Sequence, residues 1–540
     1  MVHCLDVLLV GGYVVDGTGV PWYRADVAVR DGVVVLIAPK IDLPAARTLD
    51  VHGMVVAPGF IDIHSHSDYS FFWDPDASQR ITQGFTTEIC GNCGVSAAPI
   101  RERRFSDLQL DLLSSVGVRE NVTWCTFREY LQTAASQKMC TNVGVLIGYN
   151  TIREYVAGTQ RELSTAERLE IMELVTDAMA AGALGVSSGL VYQPGNFASR
   201  DELTEACRIV ARWGGVYATH TRGLRESFST GVGEAIDIAQ TARVPLEISH
   251  MVPQLGGWGQ WREALDQVDE ARARGVDVTF DTHLDTVGGN NVLATIPPQY
   301  KQDGVESLAA RLSDPGFRSR LRRDMQDFLG PGTSGHLKHS RWDILRIGQA
   351  PYTPWAVGKS VEALSWAAGK DPWDVFFDLL EANGRGLYLT AVYVPEDAIR
   401  SALSHPASMV MTDASFAEAG PNCPFPRNFG TSGKLLGKYV REEGLLSLEE
   451  AVRKITSAPA ARYGLWDRGV LRPGFAADVT VFDPATIAPT VTDEGCLAGC
   501  EYQNPRTVGV MHVLVNGEVV LEGGELTGAR PGRLLLRRHT

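Results

Sequence analysis

Short apolar runs alternate along this chain with longer stretches whose apolar residues fall three or four positions apart. Runs at 55–62, 86–90, 142–147, 184–187, 216–220, 246–250, 276–281 and 409–413 have strand length and are bounded by polar or turn residues. Helical patterns lie between several of them, the clearest at 166–181 around Glu-Arg-Leu-Glu-Ile-Met-Glu-Leu-Val. Eight strands alternating with helices predict an α/β fold, a (β/α)8 barrel across 54–463. The spacing breaks between Asp281 and Met409. That break predicts an insertion after strand seven, at about 285–345, placed to lie over the site. Its Arg318, Arg320, Arg322 and Arg323 read as a solvated helix face.

The two ends of the chain carry a different pattern. Residues 1–53 and 464–540 hold short β-type runs broken by turn pairs, Asp31-Gly32 and Asn516-Gly517 among them. The two ends are predicted to pair as one small β-sandwich beside the barrel. Gly11-Gly12 has no helix after it, so it is hairpin chemistry and not a phosphate loop.

Composition narrows the classes. A chain of 540 residues suits a large barrel with an added domain. A net charge of −14 argues against nucleic acid or an anionic membrane surface as partner. The first residues, Met1-Val2-His3-Cys4-Leu5-Asp6, lack a basic leader, and no apolar run reaches membrane-spanning length. The expectation is a cytoplasmic protein. Nine scattered cysteines do not read as a disulfide framework in so long a chain, so a thiol is free to serve as a ligand.

The chemistry concentrates at the strand ends. The first run ends in His64 and His66, which share a face because their spacing is two. Cys93 follows strand two, His220 ends strand five, His250 ends strand six and Asp413 ends strand eight. One histidine at such a place is most often an ordinary buried polar residue. Six donors at the functional rim of one barrel read as a one- or two-metal site with N, S and O ligands. His283, just past strand seven, is placed to line the same pocket.

These residues sit in motifs that resemble the amidohydrolase superfamily, and within it the N-acyl-D-amino-acid deacylases (D-aminoacylases). The motifs are Pro58-Gly59-Phe60-Ile61-Asp62-Ile63-His64-Ser65-His66, Gly91-Asn92-Cys93-Gly94, Gly189-Leu190-Val191-Tyr192-Gln193-Pro194-Gly195, His220-Thr221-Arg222, Ile248-Ser249-His250, Pro426-Arg427-Asn428-Phe429-Gly430-Thr431 and the run from Asp467 to Asp478. They span nearly the whole chain in the family's order. The resemblance implies a zinc enzyme that hydrolyses a non-peptide amide of a small molecule. It implies that Cys93, His220 and His250 hold a tight zinc, and that His64, His66 and Asp413 form a weaker second site. It further implies that Asp413 is the catalytic base, and that Tyr192, Arg222 and Arg427 meet the substrate's carboxylate or carbonyl.

The sequence departs from the family around that carboxylate. Val252 stands where the resemblance implies a lysine, His283 where it implies a tyrosine, and Phe425 where it implies a histidine. A linear N-acyl amide is the leading expectation. Hydrolysis of a cyclic amide or imide by the same centre is the alternative. A non-catalytic scaffold is the third reading, and retention of every ligand argues against it.

Overall fold

The computed structural model describes residues 4–103, 109, 122–160, 162–300, 305–328, 333–414, 425–500 and 502–537. Parallel pairing runs in sequence order from Phe60–Asp62 to Phe85–Cys90 and on to Asn142–Val145. It resumes at Ile147–Gly148 and continues through Gly185–Gly189, Val216–His220, Leu246–Ile248, Val278–Thr282 and Ser408–Val410. The ring closes where Ser65 bridges Ala414 in parallel. Asp413 N donates to His64 O at 2.9 Å and His66 N to Ala414 O at 3.0 Å. Strand eight is thus tied to strand one by the backbone of the site residues themselves.

The helix read at 166–181 is observed as Thr165–Ala181. Ser164 accepts the Glu167 N–H while Glu167 reaches back to Ser164, and Gly182 ends the helix at φ +110°. Inside the barrel, Ile61, Ile89, Leu146, Leu184, Ala218 and Met409 form one apolar cluster with Tyr463 and Leu465. Each of the larger aliphatic side chains among them contributes about 1.5–3 kcal/mol by leaving water. This cluster leaves polar chemistry to the strands' C-terminal ends.

Three features differ from the sequence reading. The run at 55–62 is two strands in two sheets. Val55–Pro58 pairs with Val479–Phe482 and with Leu5–Val14, while Phe60–Asp62 opens the barrel. The chain changes sheet at Gly59, where a Cβ would collide with the Thr86 side chain. Both chain ends do share a sheet, one continuous nine-stranded sheet that also includes Tyr23–Arg30, Val33–Ala38, Ala45–Asp50, Val510–Val515, Glu518–Glu522 and Glu525–Leu526. Its core joins Val7, Leu9, Val27 and Leu49 to Val479, Val481 and Leu514. The Asn516-Gly517 turn has positive φ at both residues, +47° and +85°, as a type I′ hairpin requires.

The second difference is the insertion, which runs well past 345. Val287–Asn291, Tyr388–Val392 and Leu345–Gln349 form an antiparallel sheet in that order. Phe317, Leu321, Trp373, Phe376, Leu380 and Leu389 pack in a core of its own. Of its arginines, Arg320, Arg322 and Arg323 are exposed as expected, and Arg318 is the exception. Arg318 is 18% exposed and reaches Asp378 at 2.8 Å and Glu381 at 3.0 Å, both on the neighbouring helix Pro372–Asn383. The third is the C-terminal Leu534–Leu535, which adds in parallel to Val143–Gly144 of barrel strand three.

Candidate metal centre

Cys93 lies at the middle of the cluster. Its turn is built on three left-handed residues: Gly91 at φ +79°, Cys93 at +53° and Gly94 at +77°. A Cβ on Gly91 would strike the Leu146 carbonyl. Asn92 Nδ2 donates to Ile89 O at 2.9 Å and pins the turn. Cys93 Sγ then stands 3.4 Å from His64 Nε2, 3.3 Å from His250 Nε2 and 3.7 Å from His220 Nδ1. Ligands at about 2.0–2.3 Å on a tetrahedral ion stand roughly 3.5 Å from one another. The donor set therefore fits a zinc-sized ion, and a thiolate among imidazoles suits zinc.

Asp413 faces the same cluster from strand eight. Its Oδ1 is 3.2 Å from His66 Nε2 and 3.5 Å from His64 Nε2. Two overlapping donor groups result, His64, His66, Cys93 and Asp413 in one and Cys93, His220 and His250 in the other, with Cys93 common to both. All six sequence-predicted ligands thus come together. Cys93, His250 and Asp413 hold positive φ, +53°, +34° and +47°. Such backbone is costly for residues with a Cβ and gathers at functional sites.

Burial sets the protonation states. It pushes His64 and His250 down to about 3 and His220 well below its ordinary value, so these imidazoles are neutral and ready to ligate. Burial also pushes the Cys93 thiol well up, with Asp413 adding to the effect. Burial works against the charge of Asp413, but Arg427 and then His66, His64 and His250 outweigh it and hold the carboxyl well below the usual range.

The sequence reading overlooked Asp281, the carboxylate that organises two of the ligands. Its Oδ2 is 3.2 Å from His64 Nδ1, and its Oδ1 accepts the His250 backbone N–H. A neutral His64 keeps its proton on Nδ1 toward this carboxylate and offers the Nε2 lone pair to a metal. The signal was present, since Asp281 ends an apolar run as the histidines do. Replacing Asp281 by Asn should weaken divalent metal binding by about 10–100-fold. Competition with a chromogenic chelator measures this, and unchanged affinity would refute the role.

Among the residues read as substrate contacts, Tyr192 and His283 lie by the cluster. The Tyr192 ring meets His220 edge-on, with centroids 5.0 Å apart. His283 Nδ1 is buried without a hydrogen-bond partner, and burial with Arg427 nearby lowers this imidazole to about 3. Arg427 Nη2 donates to Asp413 Oδ2 at 3.0 Å, with Arg427 Nε on Asp413 O at 3.2 Å. Arg222 is not brought in. Its guanidinium grips Glu234 at 2.9 Å and donates to Asn196 O and Ala198 O, both at 2.8 Å. That partner lies on the helix Phe228–Ala242, a pairing that only the folded chain reveals.

Residues 47–521 match the sequence model of the amidohydrolase family. The chain belongs to the amidohydrolase family. It is 33% identical over 536 residues to a D-aminoacylase of Alcaligenes xylosoxydans xylosoxydans, covering 98% of each chain. It is 32% identical to an N-acyl-D-glutamate deacylase of the same organism, covering 99% of this chain and 97% of that one. Among solved structures, an N-acyl-D-glutamate deacylase of Bordetella bronchiseptica, in complex with zinc and a phosphonate inhibitor, superposes with a TM-score of 0.77 at 29% identity. That match covers 99% of this chain and 100% of the other. This amidohydrolase therefore resembles those deacylases along its whole length.

Proposed function

We infer that this amidohydrolase is a zinc-dependent deacylase that hydrolyses the linear amide of an N-acyl amino acid or a close derivative. The convergence of Cys93 Sγ with three imidazole nitrogens, beside an ionised Asp413, carries the reading. Cys93, His220 and His250 are assigned the tight zinc, and His64, His66 and Asp413 a second, weaker position. Zinc, when bound, supplies an acidified water and a Lewis acid for the amide carbonyl.

The rest falls to the chain's own residues. Asp413 is the base: its Oδ1 takes the proton of water and passes it to the leaving nitrogen. Arg427 steadies the other oxygen, Oδ2, and so orients the carboxylate. Tyr192 and His283 line the substrate side. Val252 is 2% exposed and belongs to an apolar cluster with Leu284 and Val394, so no cation waits there for a carboxylate.

Further parts of the reading follow from the fold. The terminal sheet is read as a small β-sandwich formed by 1–53 and 464–540, joined by Val55–Pro58, beside a barrel that opens at Phe60 and runs to 463. No helix among the described residues is long and apolar enough to cross a membrane. The working partner is a small-molecule amide, and a cytoplasmic place is assigned on the sequence.

A substrate panel tests the function. The zinc-loaded enzyme is assayed on N-acyl-D-amino acids, N-acyl-L-amino acids, their carboxamides, hydantoins and cyclic imides. Acyl release from the linear D-compounds is expected, with no turnover after chelation. Turnover confined to the cyclic compounds would falsify the deacylase reading.

A further inference from the structure

Among the described residues, Arg427 is the one arginine or lysine that the structure places against Asp413. Its Nε–Nη2 edge, its backbone N–H and one guanidinium face are already engaged. Its Nη2 and Nε donate to Asp413 at 3.0 and 3.2 Å, and its guanidinium carbon lies 4.4 Å from the Phe425 ring centroid. Its backbone N donates to Asp285 Oδ2 at 2.9 Å, with Nη1 at 4.0 Å from the same oxygen. Asp285 is 2% exposed. Burial, then Asp493, push its carboxyl up to about 6 against the pull of Lys434 and Arg427, so it is charged at pH 8.

Asp285 is itself held rigidly. The next residue, Thr286, donates from N at 3.0 Å and from Oγ1 at 2.6 Å to Asp493 Oδ2. Asp493 also receives Lys434 Nζ at 2.7 Å. Two cations, the partly buried Arg427 and the buried Lys434, are thus matched by three carboxylates, Asp413, Asp285 and Asp493. A bidentate Arg–carboxylate pair with substrate needs a guanidinium with a free edge and an unmatched charge. Arg427 has no unmatched charge, and its Nε–Nη2 edge is taken by Asp413, with Nη1 making only the 4.0 Å approach to Asp285.

We propose that Asp285 is a specificity-determining residue: it neutralises Arg427 and fixes it against Asp413, directing the site to N-acyl compounds whose α-substituent is an uncharged carboxamide or ester instead of a free carboxylate. The inference rests on the deacylase reading above and names its substrate class. Asp285 does not touch the reacting atoms; it acts through Arg427.

The test compares N-acetyl-D-leucine with N-acetyl-D-leucinamide on zinc-loaded wild type, Asp285→Asn and Asp285→Glu. Wild type is expected to favour the amide. Asp285→Asn should raise the acid-to-amide ratio of kcat/KM by about tenfold or more, the worth of one charge-assisted contact. The change should sit in KM for the acid, and Asp285→Glu should return the ratio toward wild type. Asp285→Ser replaces Asp285→Asn if that variant does not fold. A ratio unmoved in the folded variants, at equal zinc content, overturns the proposal, as does a wild type that strongly prefers the free acid. Wild type that turns over neither compound counts against the deacylase reading alone. Calorimetric Kd values for the same pair then decide the inference: a shifted ratio supports it, and an unshifted ratio or no binding by any protein overturns it.

Discussion

Replacing Cys93 by Ala should take the bound zinc from about one per chain to background. Cys93 Sγ is the donor common to both groups and neighbours His64, His220 and His250 at 3.3–3.7 Å. Its loss leaves neutral imidazoles without the thiolate that favours zinc over harder ions. The fold should survive, because alanine and cysteine meet similar strain at φ +53°. A ligand that binds only the folded state at 1,000 times its Kd stabilises it by about 4 kcal/mol. A chelator should therefore lower the Tm of wild type and leave that of Cys93→Ala where it was. Elemental analysis and two melting curves check this. Full zinc retention in the variant would remove Cys93 from the site.

Asp413→Asn should separate binding from chemistry. The amide keeps the size and one acceptor of the carboxylate, so His66 and Arg427 retain a neighbour at that place. It cannot accept a proton at neutral pH. The variant should keep its fold and most of its tight zinc, while kcat falls by at least about 100-fold, the lower end for general acid–base catalysis. Single-turnover assays at matched zinc content measure it. Near wild-type turnover would mean that another group carries the proton.

Much of this centre was legible in the sequence because strand ends are legible. A run of β-branched and apolar residues that stops at His64, His220 or His250 places that histidine at a rim, and eight such runs define the barrel. Gly91-Asn92-Cys93-Gly94 was legible as a motif, while its left-handed turn is a finding of the structure. What stayed hidden depends on pairings distant in sequence. Asp281 ends its strand as the histidines do, but its grip on His64 and on the His250 N–H belongs to the folded rim. Arg222 looked free until Glu234 on the following helix was seen to hold it. Left-handed backbone at His250 and Asp413 carries no glycine to announce it. Val252 is legible as a missing cation, whereas the meeting of Asp285 with Arg427 depends on the fold.

The change of sheet at Gly59 has a consequence for the order of assembly. Val55–Pro58 takes one of its neighbours from Val479–Phe482, and barrel strand three is flanked by Leu534–Leu535. At roughly 5–20 residues per second, the interval between synthesis of the first pair of partners is on the order of a minute. During that time one edge of Val55–Pro58 stands open to wrong pairing. His64 and His66 follow only a few residues behind that edge, so the first donors of the centre are made long before the edge beside them is covered.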